Sequence, residues 1–147
     1  MSRLKYFLNE KAVAVALPVK PPRELDAGFD LPALNDTIIE PGTMTAIETG
    51  IHLSIPEGFV GLVRDRSSIA LRGGVTVAGV IDAAYRGEVK VLMHNLGKEP
   101  LVFKRGERIA QCLVVPHLSG NQCEEVKSLE ALGSTERGAG GFGSTGK

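Results

Sequence analysis

The stretch Val75–Met93, VTVAGVIDAAYRGEVKVLM, decides how this chain is read. Apolar residues lead in (Val75, Val77, Val80, Ile81) and an alternating run leads out (Val89, Val91, Met93). Between Gly79 and Gly87 lie one carboxylate (Asp82), one tyrosine (Tyr85) and one arginine (Arg86). Two β-branched runs joined by a short glycine-marked loop predict a β-hairpin. An acid and an aromatic at its tip make a candidate site. A surface turn, with Asp82 capping the loop and Tyr85 packed beside it, accounts for the same residues equally well. The rest of the chain separates the two readings.

Outward from the hairpin the pattern stays mostly at period two. Val13, Val15 and Leu17 alternate with alanines, and Ile51, Leu53 and Ile55 alternate with His52 and Ser54. Val60–Val63, Leu101–Phe103 and Ile109–Val115 are further short apolar runs. Turn signals separate them: Pro41-Gly42, Pro56-Glu57-Gly58, Gly73-Gly74, Asn95-Leu96-Gly97 and Arg105-Gly106. Short strands at this spacing predict an all-β barrel or sandwich, a jelly roll among the commoner solutions. One short helix is expected at Ser67–Arg72, opened by serines and closed by Gly73. A single domain over 1–147 is expected, with a β core over 1–133. From Ser134 the composition changes: STERGAGGFGSTGK carries one large apolar residue, Phe142, and predicts a tail that cannot order itself unaided.

Charge and cysteine content narrow the function classes. The chain has 147 residues and balances 17 basic against 17 acidic side chains, so nucleic acid or an anionic membrane is not favoured as main partner. Cys112 lies in an apolar run and reads as a core residue, and nothing pairs it with Cys123. The three histidines stand far apart, without metal-ligand spacing, so a protein-built zinc site is not expected. Val13–Val19 is too short to span a bilayer and makes a poor signal peptide. A soluble protein of a reducing, cytoplasmic setting is the expectation.

Two stretches suit anions. Arg66-Ser67-Ser68 stands where the expected helix begins, and unpaired N–H groups, hydroxyls and a guanidinium there could hold phosphate. A serine cap with a solvated arginine explains it too. In the tail, Arg137 with Gly138, Gly140, Gly141 and Gly143 could lay N–H groups around phosphate oxygens. GFGSTGK matches most of a Walker A pattern but lacks the helix that must follow. Phe142 is an aromatic suited to stacking on a base. Gln111 interrupts the run RIAQCLVV, either pairing with a neighbouring backbone or facing the site. An acid on a hairpin, two phosphate cradles and two aromatics together describe a small nucleotide enzyme.

With those residues in view, the chain resembles the trimeric dUTPases over nearly its whole length. Five motifs carry the resemblance, in order: AGFDL (Ala27–Leu31), RSSIA (Arg66–Ala70), GVIDAAYRG (Gly79–Gly87), RGERIAQ (Arg105–Gln111) and RGAGGFGSTG (Arg137–Gly146). The resemblance implies a jelly-roll-like fold and a homotrimer, with the tail of one chain closing a site formed by others. It implies magnesium-assisted hydrolysis of dUTP to dUMP and pyrophosphate, limiting uracil entry into DNA and supplying dUMP for thymidylate synthesis. The cation would be held mainly through the substrate phosphates, with no direct protein ligand to the metal expected.

Residue by residue, Asp82 matches the catalytic aspartate that activates water, and Tyr85 the residue that packs against deoxyribose. Uracil would be read by backbone around Gly79, Val80 and Ile81 and near Lys90. Arg66, Ser67, Ser68 and Gln111 match phosphate-contacting positions, and Arg137 the tail arginine on the γ-phosphate. Phe142, with Gly143 beside it, matches the aromatic that stacks over uracil. Asp30 matches the first motif's aspartate, a second-shell partner of magnesium waters or a structural ligand of the site. The second motif departs from the usual Pro-Arg-Ser-Gly, with Asp65 and Ser68 at the proline and glycine positions; Lys90 stands where glycine is common. The related dCTP deaminases share the fold, but this sequence has Leu92 where their catalytic glutamate lies and carries a tail they lack.

Overall fold

The computed structural model of the chain describes residues 3–136 and 138–140. Its first compact unit, up to His117, carries ten strands among the described residues. These are β1 (Lys5–Leu8), β2 (Gly28–Pro32), β3 (Thr37–Ile39), β4 (Met44–Ser54), β5 (Phe59–Asp65), β6 (Gly74–Thr76), β7 (Val80–Ile81), β8 (Glu88–Asn95), β9 (Leu101–Phe103) and β10 (Arg108–Pro116). One four-stranded sheet runs β1-β4-β8-β6, a second runs β2-β10-β5-β7, and β3 pairs with β9. Every pairing is antiparallel. The sheets stay open, giving a jelly-roll-like sandwich rather than a closed barrel.

Alternation along the strands makes one core. On β8, Val89, Val91 and Met93 are buried while Lys90 is exposed. They join Phe29 and Leu31 of β2, Ile47 and Ile51 of β4, Val63 of β5, and Ile109 and Cys112 of β10 in one apolar cluster. Period two is what places these side chains on a common face. Cys112 is buried, and desolvation pushes its thiol up to about 11 from the ordinary 9.0. Both cysteines are free.

Two expectations change. Val13–Leu17 does not form a strand, because Glu10–Ala14 is a helix, α1. Asn9 caps it, its side chain accepting from the Ala12 N–H at 3.0 Å, and Ala12 is buried with Leu17 and Leu34. A good cap and one small buried residue outweigh a weak two-residue alternation. The hairpin around Asp82 is the second change. Its lead-in strand β6 does pair with β8, Thr76 facing Met93, but Val80 and Ile81 pair with Leu62 and Gly61 of β5 in the other sheet. The short helix appears as α2, Ser67–Ala70, and Gly73 follows it at φ 89°.

The second unit begins at Leu118. It contains two 3-10 turns, Gly120–Gln122 and Glu130–Leu132, the first closed by a capping box between Ser119 and Gln122. Leu118, Leu129 and Leu132 are exposed.

Candidate active site

The loop between β6 and β8 crosses from one sheet to the other. After Thr76, the Val77 N–H donates to the Leu92 carbonyl at 2.9 Å, and the chain then turns through Ala78 (φ 58°) and Gly79 (φ 90°). The Gly79 carbonyl accepts from the Val63 N–H at 2.8 Å, which seats β7 on β5. A side chain at Gly79 would meet the Val63 Cβ at 2.8 Å, so glycine is required for both its dihedral and its space. Beyond β7 the chain turns again. The Tyr85 N–H donates to the Asp82 carbonyl at 3.0 Å, and the Arg86 guanidinium donates to the Ala83 and Tyr85 carbonyls. The Tyr85 hydroxyl donates to the Glu88 carbonyl at 3.0 Å.

This loop walls a concavity of about 330 Å³. Gly79, Val80, Ile81, Asp82, Tyr85 and Lys90 all line it, so the structure brings together the loop and strand residues assigned to the nucleoside and to water activation. Asp82 is exposed and Tyr85 is 44% exposed. Lys90 pairs with Glu48 at 3.6 Å. Leu92 lines the same concavity and presents no carboxylate there.

The phosphate candidates lie in a separate groove of about 740 Å³, lined by Arg66, Ser67, Ser68, Gln111 and Asp30. No residue lines both cavities. Arg66 is the N-cap of α2, but a four-residue helix adds little dipole, so side-chain charge dominates here. Arg66, Arg108, Lys20 and Arg23 supply that charge, against Asp26 and Asp30. Arg23 and Asp26 pair at 2.9 Å; that side-chain bond lowers the Asp26 carboxyl below its ordinary value.

Asp30 is the organising acid of the groove. Its two oxygens take Arg66 Nε at 3.3 Å and Arg108 Nη1 at 3.1 Å, while Arg66 Nη1 donates to the Arg108 carbonyl at 3.0 Å. Arg108 was not among the expected site residues. Its motif, RGERIAQ, contains it, but only the pairing of β10 with β2 sets it beside Asp30. Gln111 satisfies both readings offered for it: its Nε2 donates to the Asp65 carbonyl at 3.0 Å, and it lines the groove. The unusual Asp65 accepts from the Thr76 N–H at 2.6 Å through Oδ1, bracing β5 against β6. Arg137, Phe142 and Gly143 lie outside the described residues.

Comparison with known proteins identifies the family. The family model for dUTPase matches residues 16–146. The chain belongs to the dUTPase family. It is 50% identical over 125 residues to the deoxyuridine 5'-triphosphate nucleotidohydrolase of Corynebacterium jeikeium, covering 82% of this chain and 80% of that one. The nucleotidohydrolase of the same description from Nautilia profundicola is 43% identical over 143 residues, 95% of either chain. Among solved structures, the Staphylococcus bacteriophage 80alpha dUTPase with dUPNHPP superposes with a TM-score of 0.82 at 28% identity, over the whole of both chains. The EIAV dUTPase superposes at 0.72 and 28% identity, over 86% of this chain and 98% of that one. Among the described residues, no helix of this dUTPase-family chain is long and apolar enough to cross a membrane.

Proposed function

We propose that the chain hydrolyses dUTP to dUMP and pyrophosphate, with Asp82 as the base that activates water. The observation that carries this reading is the pairing of Asp82 and Tyr85 on one turn, beside backbone from Gly79 to Ile81 held between two sheets. Asp82 accepts a proton from water, the water oxygen attacks the α-phosphorus, and the bond from that phosphorus to the bridging oxygen breaks. The oxygen of water ends on dUMP and pyrophosphate leaves. A placed carboxylate contributes roughly 10²–10⁴-fold to such a step. Tyr85 packs against the sugar, and the loop's backbone edge pairs with uracil, which cytosine would meet with donors and acceptors reversed.

Arg66, Ser67, Ser68 and Gln111 bind the phosphates, with Asp30 and Arg108 holding the Arg66 guanidinium in place. Among the described residues no three His, Cys, Asp or Glu side chains converge on a metal site, and the Asp30 oxygens are both engaged by arginines. A magnesium ion fits this donor set only when the triphosphate supplies its ligands, and there it would neutralise phosphate charge. Asp30 acts on this reading through Arg66.

The separation of the two cavities supports a site shared between copies of the chain, and the family resemblance makes that assembly a homotrimer, with the nucleoside loop of one chain facing the phosphate groove of another. Closed symmetry is the ordinary way for a small protein to complete a site. Arg137 and Phe142 would then reach a neighbouring chain's nucleotide, the arginine to the γ-phosphate and the ring, with Gly143, over uracil. The test is magnesium-dependent pyrophosphate release from dUTP, dCTP, dTTP and UTP side by side, with ammonia release from dCTP measured in the same samples. Selective release from dUTP is expected; ammonia from dCTP would favour deamination instead.

A further inference from the structure

We propose that Glu88 is a positioning residue for sugar selection, its carboxylate seated in a bulge of β4 so that the carbonyl of the same residue holds the Tyr85 hydroxyl. The inference rests on the proposed packing of Tyr85 against the sugar. Register along β4 and β8 runs regularly from Met44 facing His94 to Glu48 facing Lys90, and then shifts so that His52 faces Glu88. Four residues of advance on β4 therefore answer two on β8, leaving Thr49 and Gly50 without ladder partners there.

Glu88 supplies the missing acceptor. Its Oε1 takes the Gly50 N–H at 2.7 Å and the Thr49 N–H at 3.1 Å. The Thr49 hydroxyl, fully buried, donates to the Val89 carbonyl at 2.5 Å and accepts from the Ile51 N–H at 3.2 Å. Gly50 also accepts from the Asn9 N–H at 2.9 Å, tying the bulge to the start of α1. The bulge is thus a fixed seat on the body of the fold, in which one side-chain oxygen holds two adjacent N–H groups.

The seat controls the tyrosine through one residue. The Tyr85 hydroxyl rests on the Glu88 carbonyl, and a side chain at Gly87 would collide with the phenol, so the ring folds back over the glycine. A second pin lies beside it: His52 Nδ1 contacts the Arg86 carbonyl at 2.8 Å, and since a carbonyl only accepts, that nitrogen carries the proton. Loop residues 82–87 are therefore clamped to β4 at both Arg86 and Glu88. Excluding a 2′-hydroxyl means refusing one added oxygen, which a ring free to tilt cannot do. Cutting the Glu88 side chain leaves the Thr49 and Gly50 N–H groups without this acceptor, and β8 shifts at its first residue, carrying the tyrosine with it.

The experiment compares wild-type protein with Glu88→Gln, Glu88→Asp and Glu88→Ala for pyrophosphate release from dUTP and from UTP. The readout is the dUTP-to-UTP ratio of kcat/KM, with kcat and KM resolved for each substrate. Gln presents the same acceptor oxygen and is expected to keep the wild-type ratio. Ala, and Asp with one methylene less reach, are expected to lower the ratio roughly tenfold, mainly by lowering KM for UTP. If Ala does not fold, Asp decides the question. The inference is overturned if the shortened variants keep the wild-type ratio, including when both substrates slow in parallel. It is equally overturned if Gln relaxes selection as much as Ala does. Wild-type protein inert towards dUTP would instead overturn the proposed function, and is seen before any variant is compared.

Discussion

Replacing Gly79 by alanine tests whether the nucleoside loop owes its position to its crossing between sheets. The residue sits at φ 90°, where an L side chain costs about 1–2 kcal/mol. The added Cβ would also lie 2.8 Å from the Val63 Cβ and 3.3 Å from the Val63 carbonyl oxygen. Ordinary carbon contacts begin near 3.5 Å, so β5 and the loop must separate by roughly 0.7 Å, a strain of about 1–3 kcal/mol. Gly58 provides the control: it has φ 79° but nothing within 4 Å of an added Cβ, so Gly58→Ala carries the dihedral cost alone. At about 3 °C per kcal/mol for a chain of this size, Gly58→Ala should lower Tm by about 3–6 °C and Gly79→Ala by about 6–15 °C. Separation also stretches the Val63–Gly79 hydrogen bond and displaces the backbone assigned to uracil, so KM for dUTP should rise about tenfold in Gly79→Ala only. Thermal melts at one protein concentration and steady-state kinetics supply both readings. Equal Tm losses in the two variants, with KM for dUTP at the wild-type value in both, would refute the reasoning.

Asp82→Asn should reduce turnover by at least 10²-fold while dUTP still binds, as seen by single-turnover kinetics against equilibrium titration. Asp30→Asn removes the charge shared by two partly exposed arginines and should cost about 1–2 kcal/mol in urea unfolding, with KM for dUTP raised as Arg66 loses its partner. Chains ended after Glu136 should keep the wild-type melting curve and lose most of their turnover, and both forms should sediment as trimers; an active monomer would contradict the shared site. Cys112, its thiol raised by burial to about 11, should resist alkylation at pH 8 until the protein unfolds, whereas exposed Cys123 reacts at once. The sign for stability follows: the unfolded thiol ionises near 9 and the folded one near 11, so its contribution is complete below pH 9 and is lost as pH rises through 11.

Local pattern and content were enough for much of this. Alternation identified Ile51–Ile55 and Val89–Met93 as strands, because a sheet with one buried face imposes period two on its residues, and the short apolar run Val60–Val63 identified another. Gly73, at φ 89° just past α2, marked the end of a short helix, but the serines do not cap its start: Arg66 is the N-cap and no side chain caps that end. Val13–Leu17 was misread because alternation over so few residues is weak, and α1 is decided by the Asn9 cap and by Ala12 packing, its Cβ 2.6 Å from where a Gly50 side chain would begin.

The Asp82 loop shows where local information stops. Its carboxylate, its tyrosine and its bracketing glycines are written in the chain, and five motifs in order mark the family. That Val80 and Ile81 leave the hairpin for β5 is not, since it depends on which strand of the other sheet stands within reach. Asp30 and Arg108 are 78 positions apart, and Glu88 stands 38 from the Gly50 it holds. Such pairs are created when strand register brings distant segments side by side. Residue type and spacing along the chain thus determined which chemical groups the site can use, and tertiary pairing decided which of them hold one another in place, because register is a property of two strands together.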